Sequence, residues 1–226
     1  MVVVGVAQDG TDAFVTELEH GDDPRLLAHD LGYAVVEPID ATRDASGTVR
    51  LRLRVQTASG EAPERPGRGH DSGLELDGSE EVERRQRVAA YALVTSALGL
   101  LATEFSDKTS VPGRWGLPGG GIEDHEQPTE AVIREVCEET QQVITLGALV
   151  EVQTSHWVGR SPRNTIEDYH AVRLVYEAVC EQPTEPVVDD VGGTTESARW
   201  IGLDQWRTLA WTAGWQQILR ERIAVA

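Results

Sequence analysis

Cysteine is nearly absent: Cys137 and Cys180 are the two in a chain of 226 residues. Two thiols are too few for the multiply bridged framework of a small secreted domain, and no CxxC pair or Cys/His cluster marks a zinc site. Both are expected as buried thiols in a reducing compartment. Basic residues are outnumbered, with 20 Lys and Arg against 38 Asp and Glu and a net charge of −18. That excess repels nucleic-acid backbones and anionic membranes, so neither is expected as a partner. It does not exclude a phosphorylated substrate, because a divalent cation bridges acidic protein and anionic ligand. Long apolar runs are missing too. The most apolar stretch, residues 88–102, is interrupted by Thr95, Ser96 and Gly99 and falls short of the roughly 20 residues a membrane span needs. It reads as two buried strands around a turn. The opening residues MVVVGVAQDG have no basic region ahead of their short apolar run, so a cytoplasmic location is expected.

Hydrophobic residues nonetheless make up 40% of the chain, enough for a real core. Residues 1–58 read as a small α+β module. Strands are expected at 2–6, 13–18 and 33–39, and a short helix opens at Asp23-Pro24 and stops near Gly32. Residues 49–55 alternate strictly: Val49, Leu51, Leu53 and Val55 face one side, and Arg50, Arg52 and Arg54 the other. The arginine stripe either holds phosphate or is a sheet face that meets solvent or acidic neighbours. Residues 59–83 are rich in Gly, Pro and charge without any period, the composition of a linker. From 84 onward order returns. Strands are expected at 88–95, 100–105, 115–117, 143–157, 169–180 and 199–201, and helices at 128–140, 203–209 and 211–223. Trp211, Trp215, Ile218 and Arg222 recur at helical spacing, which makes the tryptophans core or docking residues rather than a base-stacking platform.

The chemistry concentrates in WGLPGGGIEDHEQPTEAVIREVCEET, residues 115–140. The helix at 128–140 puts Glu135, Glu138 and Glu139 at i, i+3 and i+4, on one face. Carboxylates that close repel one another unless something neutralises them. Ile133, Val136 and Cys137, with Val132 at the border, are expected to anchor the opposite face, which leaves the acids presented outward on a rigid support. Carboxylate oxygens suit hard cations such as Mg²⁺ or Mn²⁺. Arg134 stands among the acids and can orient a carboxylate through paired hydrogen bonds. Glu126 lies just before the helix and can fold back onto the same face. Gly119, Gly120 and Gly121 form a loop whose backbone can approach a ligand closely.

These residues resemble the Nudix box: Gly120, five residues, Glu126, seven residues, then Arg134, Glu135, aliphatic Val136, any residue, Glu138 and Glu139. A chance match of this length is roughly one in 10⁵ at average residue frequencies, so the resemblance is specific. It covers residues 84–226 and leaves 1–83 unassigned. It implies an α/β/α sandwich with a mixed β-sheet, carrying the small N-terminal α+β module. The box's closing Gly and the aliphatic residue after it are Gln141 and Gln142 here. That Gly ends the helix in a left-handed conformation, which costs Gln about 1 kcal/mol. A changed helix exit is therefore expected, with every charged position kept.

The resemblance implies a pyrophosphohydrolase that directs water onto a phosphorus of a nucleoside diphosphate linked to another group, with Mg²⁺ or Mn²⁺ as cofactor. It assigns the metal to Glu138, Glu139, Glu135 and Glu126, with Glu135 alternatively the general base and Arg134 orienting the acids. A base from beyond the box is the other option. Glu196, in GGTTESARW, leads there, and Glu167 and Asp168 follow. Gly119, Gly120, Gly121, Trp115 and Arg114 are the expected substrate contacts, although Trp115 equally suits the core. The partner expected is a small nucleotide derivative, and a homodimer is in keeping with the family. The alternative is a regulatory protein that senses a nucleotide without turning it over. An isomerase on the same fold would need extra Cys and His ligands near the site, and the sequence shows no such arrangement.

Overall fold

The computed structural model describes residues 1–71, 74, 81–161, 165–189 and 193–223. Along the chain run β1 (Val2–Val6), β2 (Asp12–Glu17), α1 (Pro24–Asp30), β3 (Tyr33–Arg43), β4 (Val49–Thr57), β5 (Arg68–His70), β6 (Val82–Ser96), β7 (Gly99–Phe105), β8 (Trp115–Gly116), β9 (Gly119–Gly121), α2 (Pro128–Thr140), β10 (Thr145–Arg160), β11 (Ile166–Val179), β12 (Thr195–Ile201) and α3 (Ala213–Ile223). A single 3₁₀ turn at Trp206–Thr208 stands where a helix over 203–209 was expected. Strands dominate, as in a mixed α/β fold. The residues divide into two compact units. The first is Met1–Ala89, Asp124–Gln127 and Leu149–Leu174, and the second is Ala90–Glu123, Pro128–Ala148 and Val175–Ala226. Strands β6, β10 and β11 contribute residues to both.

In the first unit, β4 realises its alternation. Val49, Leu51, Leu53 and Val55 are buried, and the arginines between them are half-buried. β4 is central in the sheet order β2-β1-β4-β3, parallel to β1 and antiparallel to β3. The arginine stripe meets acidic neighbours on β3: Arg52 pairs with Asp40 at 3.0 Å and Arg54 with Glu37 at 3.2 Å. Helix α1 begins as its sequence dictates. Asp23 caps it by accepting from the backbone N–H of Arg25 and Leu26, and Pro24 takes the first turn. Within the stretch expected as a linker, β5 pairs in parallel with β10.

In the second unit, β12 pairs antiparallel with β7, β7 with β6 and with β8, and β9 pairs with β6. Residues 88–102 form two strands and their turn, as their interrupted apolar run requires. The core holds Val94, Leu100, Leu101, Leu117, Val132, Val136 and the tryptophans Trp206, Trp211 and Trp215. The tryptophans are thus packing residues: Trp211 Nε1 donates to the Trp206 carbonyl at 2.6 Å, and the Trp215 ring meets Tyr91 edge-on at 4.7 Å. Cys180 is buried, but Cys137, expected to be buried, is exposed.

Candidate functional site

Helix α2 sits on its unit through a stripe rotated from the one its sequence suggested. Ala131, Val132, Val136 and Thr140 are buried, whereas Ile133 is 44% exposed and Cys137 faces solvent. The rotation changes what the acids do. Glu139 is 5% exposed, Glu135 is half-buried, and Glu138 alone of the three stands in solvent. Burying carboxylates at i and i+4 is tolerable because each is given partners.

Those partners come from the glycine loop and from β12. Gly119 N–H donates to Glu139 Oε2 at 2.9 Å, and Thr195 Oγ1 donates to Glu139 Oε1 at 2.5 Å. Gly119 has φ +140°, and a Cβ there would lie 2.3 Å from the Ala90 carbonyl oxygen. Only glycine lets this N–H reach the carboxylate. Gly120 makes room in the same way, since its Cβ would lie 2.5 Å from Glu135 Cδ. Arg134 ties the rest together. Its Nη1 donates to Glu135 Oε1 and to Glu138 Oε2, both at 3.0 Å, and its Nη2 donates to the Gly121 carbonyl at 3.1 Å. One guanidinium therefore fixes two carboxylates and the loop, and offsets the like-charge repulsion along the helix.

Glu196 is exposed, one residue past Thr195, where the β12–β7 register shifts between Thr195 and Ser197. A bulge of this kind re-aims a side chain. Arg114 is exposed. Trp115 is 6% exposed, with the Arg199 guanidinium 4.2 Å from its ring centre. It forms a wall of the core, the second of the two roles open to it from sequence. Glu126 is half-buried in the segment Asp124–Gln127 of the first unit, where Gln127 exchanges two hydrogen bonds with the Arg43 backbone at 2.8 and 2.9 Å. Glu167 and Asp168 also belong to the first unit and are engaged there, Glu167 with Arg85 at 3.4 Å and Asp168 with Arg68 at 2.9 Å.

Helix α2 ends where the box pattern ends, and without the changed exit that Gln141 led one to expect. Gln141 keeps φ +54°, the left-handed conformation that a glycine would take. Gln142 supplies the compensation. It is buried, its Nε2 donates to the Thr140 carbonyl and to Thr184 Oγ1, both at 3.0 Å, and its Oε1 accepts from Thr184 N–H at 3.0 Å. Sequence reading missed Thr195. Its one signal is a hydroxyl next to Glu196, ahead of the strand expected at 199–201.

Oxygen-only donors from α2, held by an arginine and a glycine loop, form a set suited to a hard divalent cation. The NUDIX domain family model matches residues 85–220, well over half of the chain. Among solved structures, a MutT protein from Methanosarcina mazei Go1 is 19% identical over 64% of this chain and 97% of that one, with a TM-score of 0.46. A MutT NUDIX hydrolase from Burkholderia pseudomallei is 25% identical over 61% and 98%, at 0.41. The NUDIX domain of Shewanella oneidensis NrtR, a complex with ADP ribose, is 20% identical over 63% and 90%, at 0.46. On the match of the family model across residues 85–220, the chain belongs to the Nudix family and is a Nudix-type pyrophosphohydrolase.

Proposed function

We propose that the chain hydrolyses a phosphoanhydride bond in a nucleoside diphosphate linked to another group. The observation that carries this reading is the acid set of α2: Glu139 held by Gly119 N–H and Thr195 Oγ1, and Glu135 and Glu138 held by Arg134. Glu135, Glu138 and Glu139 fit Mg²⁺ or Mn²⁺ by donor chemistry, and the box pattern adds Glu126. A bound dication neutralises diphosphate charge and lowers the pKa of water. The chain's own residues do the rest. Arg134 keeps two carboxylates from drifting apart as charge changes on the substrate. The loop at Gly119–Gly121 lets backbone approach the phosphates. Glu196, re-aimed by the bulge after Thr195, takes the proton of the attacking water. Glu135 is the alternative base, and Arg114 meets the substrate's charge.

Residues 84–226 are the catalytic domain in this reading, 1–58 an accessory module and 59–83 their linker. The protein works in the cytoplasm, as a homodimer. No helix among the described residues is long and apolar enough to cross a membrane.

The test is a panel of nucleoside triphosphates, nucleotide sugars, ADP-ribose and dinucleoside polyphosphates, with Mg²⁺ and with Mn²⁺. Turnover of one class, lost in Glu139→Gln, supports the hydrolase and names its substrate. Tight binding without turnover replaces it with a nucleotide sensor.

A further inference from the structure

The first unit gathers a second polar cluster that the hydrolase reading does not use. His20 stands in the turn between β2 and α1. That turn is closed by the Glu19 N–H, which donates to Asp22 Oδ2 at 2.9 Å. The start of α1 is tied to β10, since Thr154 Oγ1 donates to Asp23 Oδ2 at 2.6 Å. Two residues further along β10 is His156, and β11 supplies Asp168 and His170. Gly21 makes space for them, because a Cβ there would lie 3.2 Å from His156 Cε1 at an already left-handed φ of +90°.

We propose that His20, His156 and Asp168 bind a transition-metal dication of the Zn²⁺ class. Two imidazole nitrogens converge on one carboxylate oxygen. His20 Nε2 lies 3.2 Å and His156 Nε2 2.5 Å from Asp168 Oδ1, and the three ligand atoms all fall within 4.8 Å of one another. Zinc bonds of about 2.0–2.1 Å in a tetrahedron separate ligand atoms by about 3.3 Å. The first distance already matches this, and a small opening of the second admits the ion. Asp168 Oδ2 accepts from Arg68 at 2.9 Å, which orients the carboxylate and leaves Oδ1 for the metal.

A purely protonic cluster, with both rings donating to Asp168, is the competing explanation. It directs both rings at the single oxygen Oδ1, while Oδ2 serves Arg68. The His170 ring is 1% exposed, with Nδ1 at 3.2 Å from Gln86 Oε1, and it also meets the Asp22 backbone. Its centroid lies 5.6 Å from His20 and 5.9 Å from His156. A ring so buried packs against the two ligand imidazoles and fixes their orientation, as groups around a metal site do. The cleft lined by Gly21, Arg65, Arg68, Thr154, His156 and His170 gives an entry path. Imidazole and mixed N/O donors select Zn²⁺, Co²⁺ or Ni²⁺ over Mg²⁺, so this site is chemically distinct from the acid set of α2.

The full chain, stripped with a chelator, is titrated with ZnCl₂ by calorimetry in excess Mg²⁺, and Co²⁺ uptake is followed by visible absorption. One equivalent of Zn²⁺ is expected. Loss of an orienting partner costs metal sites about 10–100-fold in affinity, the loss expected for Arg68→Ala. His20→Gln and His156→Gln remove a ligand and should each lose about 100-fold or more. Glu138→Gln should bind Zn²⁺ as the wild type does. Thermal melts of the metal-free variants establish that they fold. Should one histidine variant not fold, the other decides. The proposal is overturned if the wild type takes up no Zn²⁺ beyond what Glu138→Gln abolishes, or if a folded histidine variant keeps wild-type affinity.

Discussion

Two charged clusters in this chain are built on opposite logics. The acids of α2 lie within five residues, and the helix alone brings them together. His20 and Asp168 are 148 positions apart, and only the tertiary structure joins them. The first cluster is made of like charges, with an arginine and a glycine loop keeping them in place. The second is made of complementary groups around one carboxylate oxygen. Local spacing thus announces a site that needs external neutralisation, while a self-complementary site leaves no trace in sequence.

The sharpest way to separate the clusters is to remove the arginine that holds the first. Arg134→Ala frees Glu135, Glu138 and the Gly121 carbonyl together, and turnover is expected to fall about 10–100-fold, with Zn²⁺ uptake unchanged. An equal loss of both would merge the clusters into one system. Gly119→Ala comes next. Its Cβ would meet backbone rather than a yielding side chain, so a stability loss of about 2–3 kcal/mol is expected in chemical denaturation. A loss under about 0.5 kcal/mol would mean that the loop yields and that the Gly119–Glu139 bond is dispensable.

In the first unit, Asp23 carries a pH signature. Burial pushes its carboxyl up, but hydrogen bonds from Arg25 and Thr154 and the Arg25 charge outweigh this and hold it below its ordinary 3.8. A depressed carboxyl stabilises the fold above the unfolded value and loses that contribution as pH falls through the folded value. Asp23→Ala should therefore cost about 1 kcal/mol near neutral pH through the lost helix cap, and the gap to wild type should narrow below pH 3.8. A gap that does not change with pH would remove the charge from the account.

The smallest effect belongs to the end of α2. Gln141→Gly relieves the left-handed backbone and is expected to stabilise by up to about 1 kcal/mol. No change in melting would show that Gln142 and Thr184 have already made the exit comfortable.

How much of this is legible in the sequence follows from the same contrast. The alternation of β4, the cap of α1, the two strands over 88–102 and the spacing of the acids are local patterns, and each appears in the structure. The rotation of α2 was not legible. The apolar residues Ile133 and Cys137 looked like anchors, but the partners that let Glu139 turn inward, Gly119 and Thr195, lie 20 and 56 residues away. Gln141 kept the glycine's conformation for a similar reason, since Thr184, which fixes Gln142, is 42 residues along the chain. The place of Trp115 depends in the same way on a distant residue, Arg199, whose guanidinium lies over its ring.

The central claim is that the α2 acids carry hydrolysis. It is tested most directly by the metal-dependent turnover of the best substrate in the panel, measured for wild type and for Glu138→Gln, the exposed acid whose replacement least disturbs the core. The account predicts a loss on the order of 10²-fold or more in kcat, with the melting temperature unchanged. Equal kcat in the two proteins across the full Mg²⁺ range would contradict it.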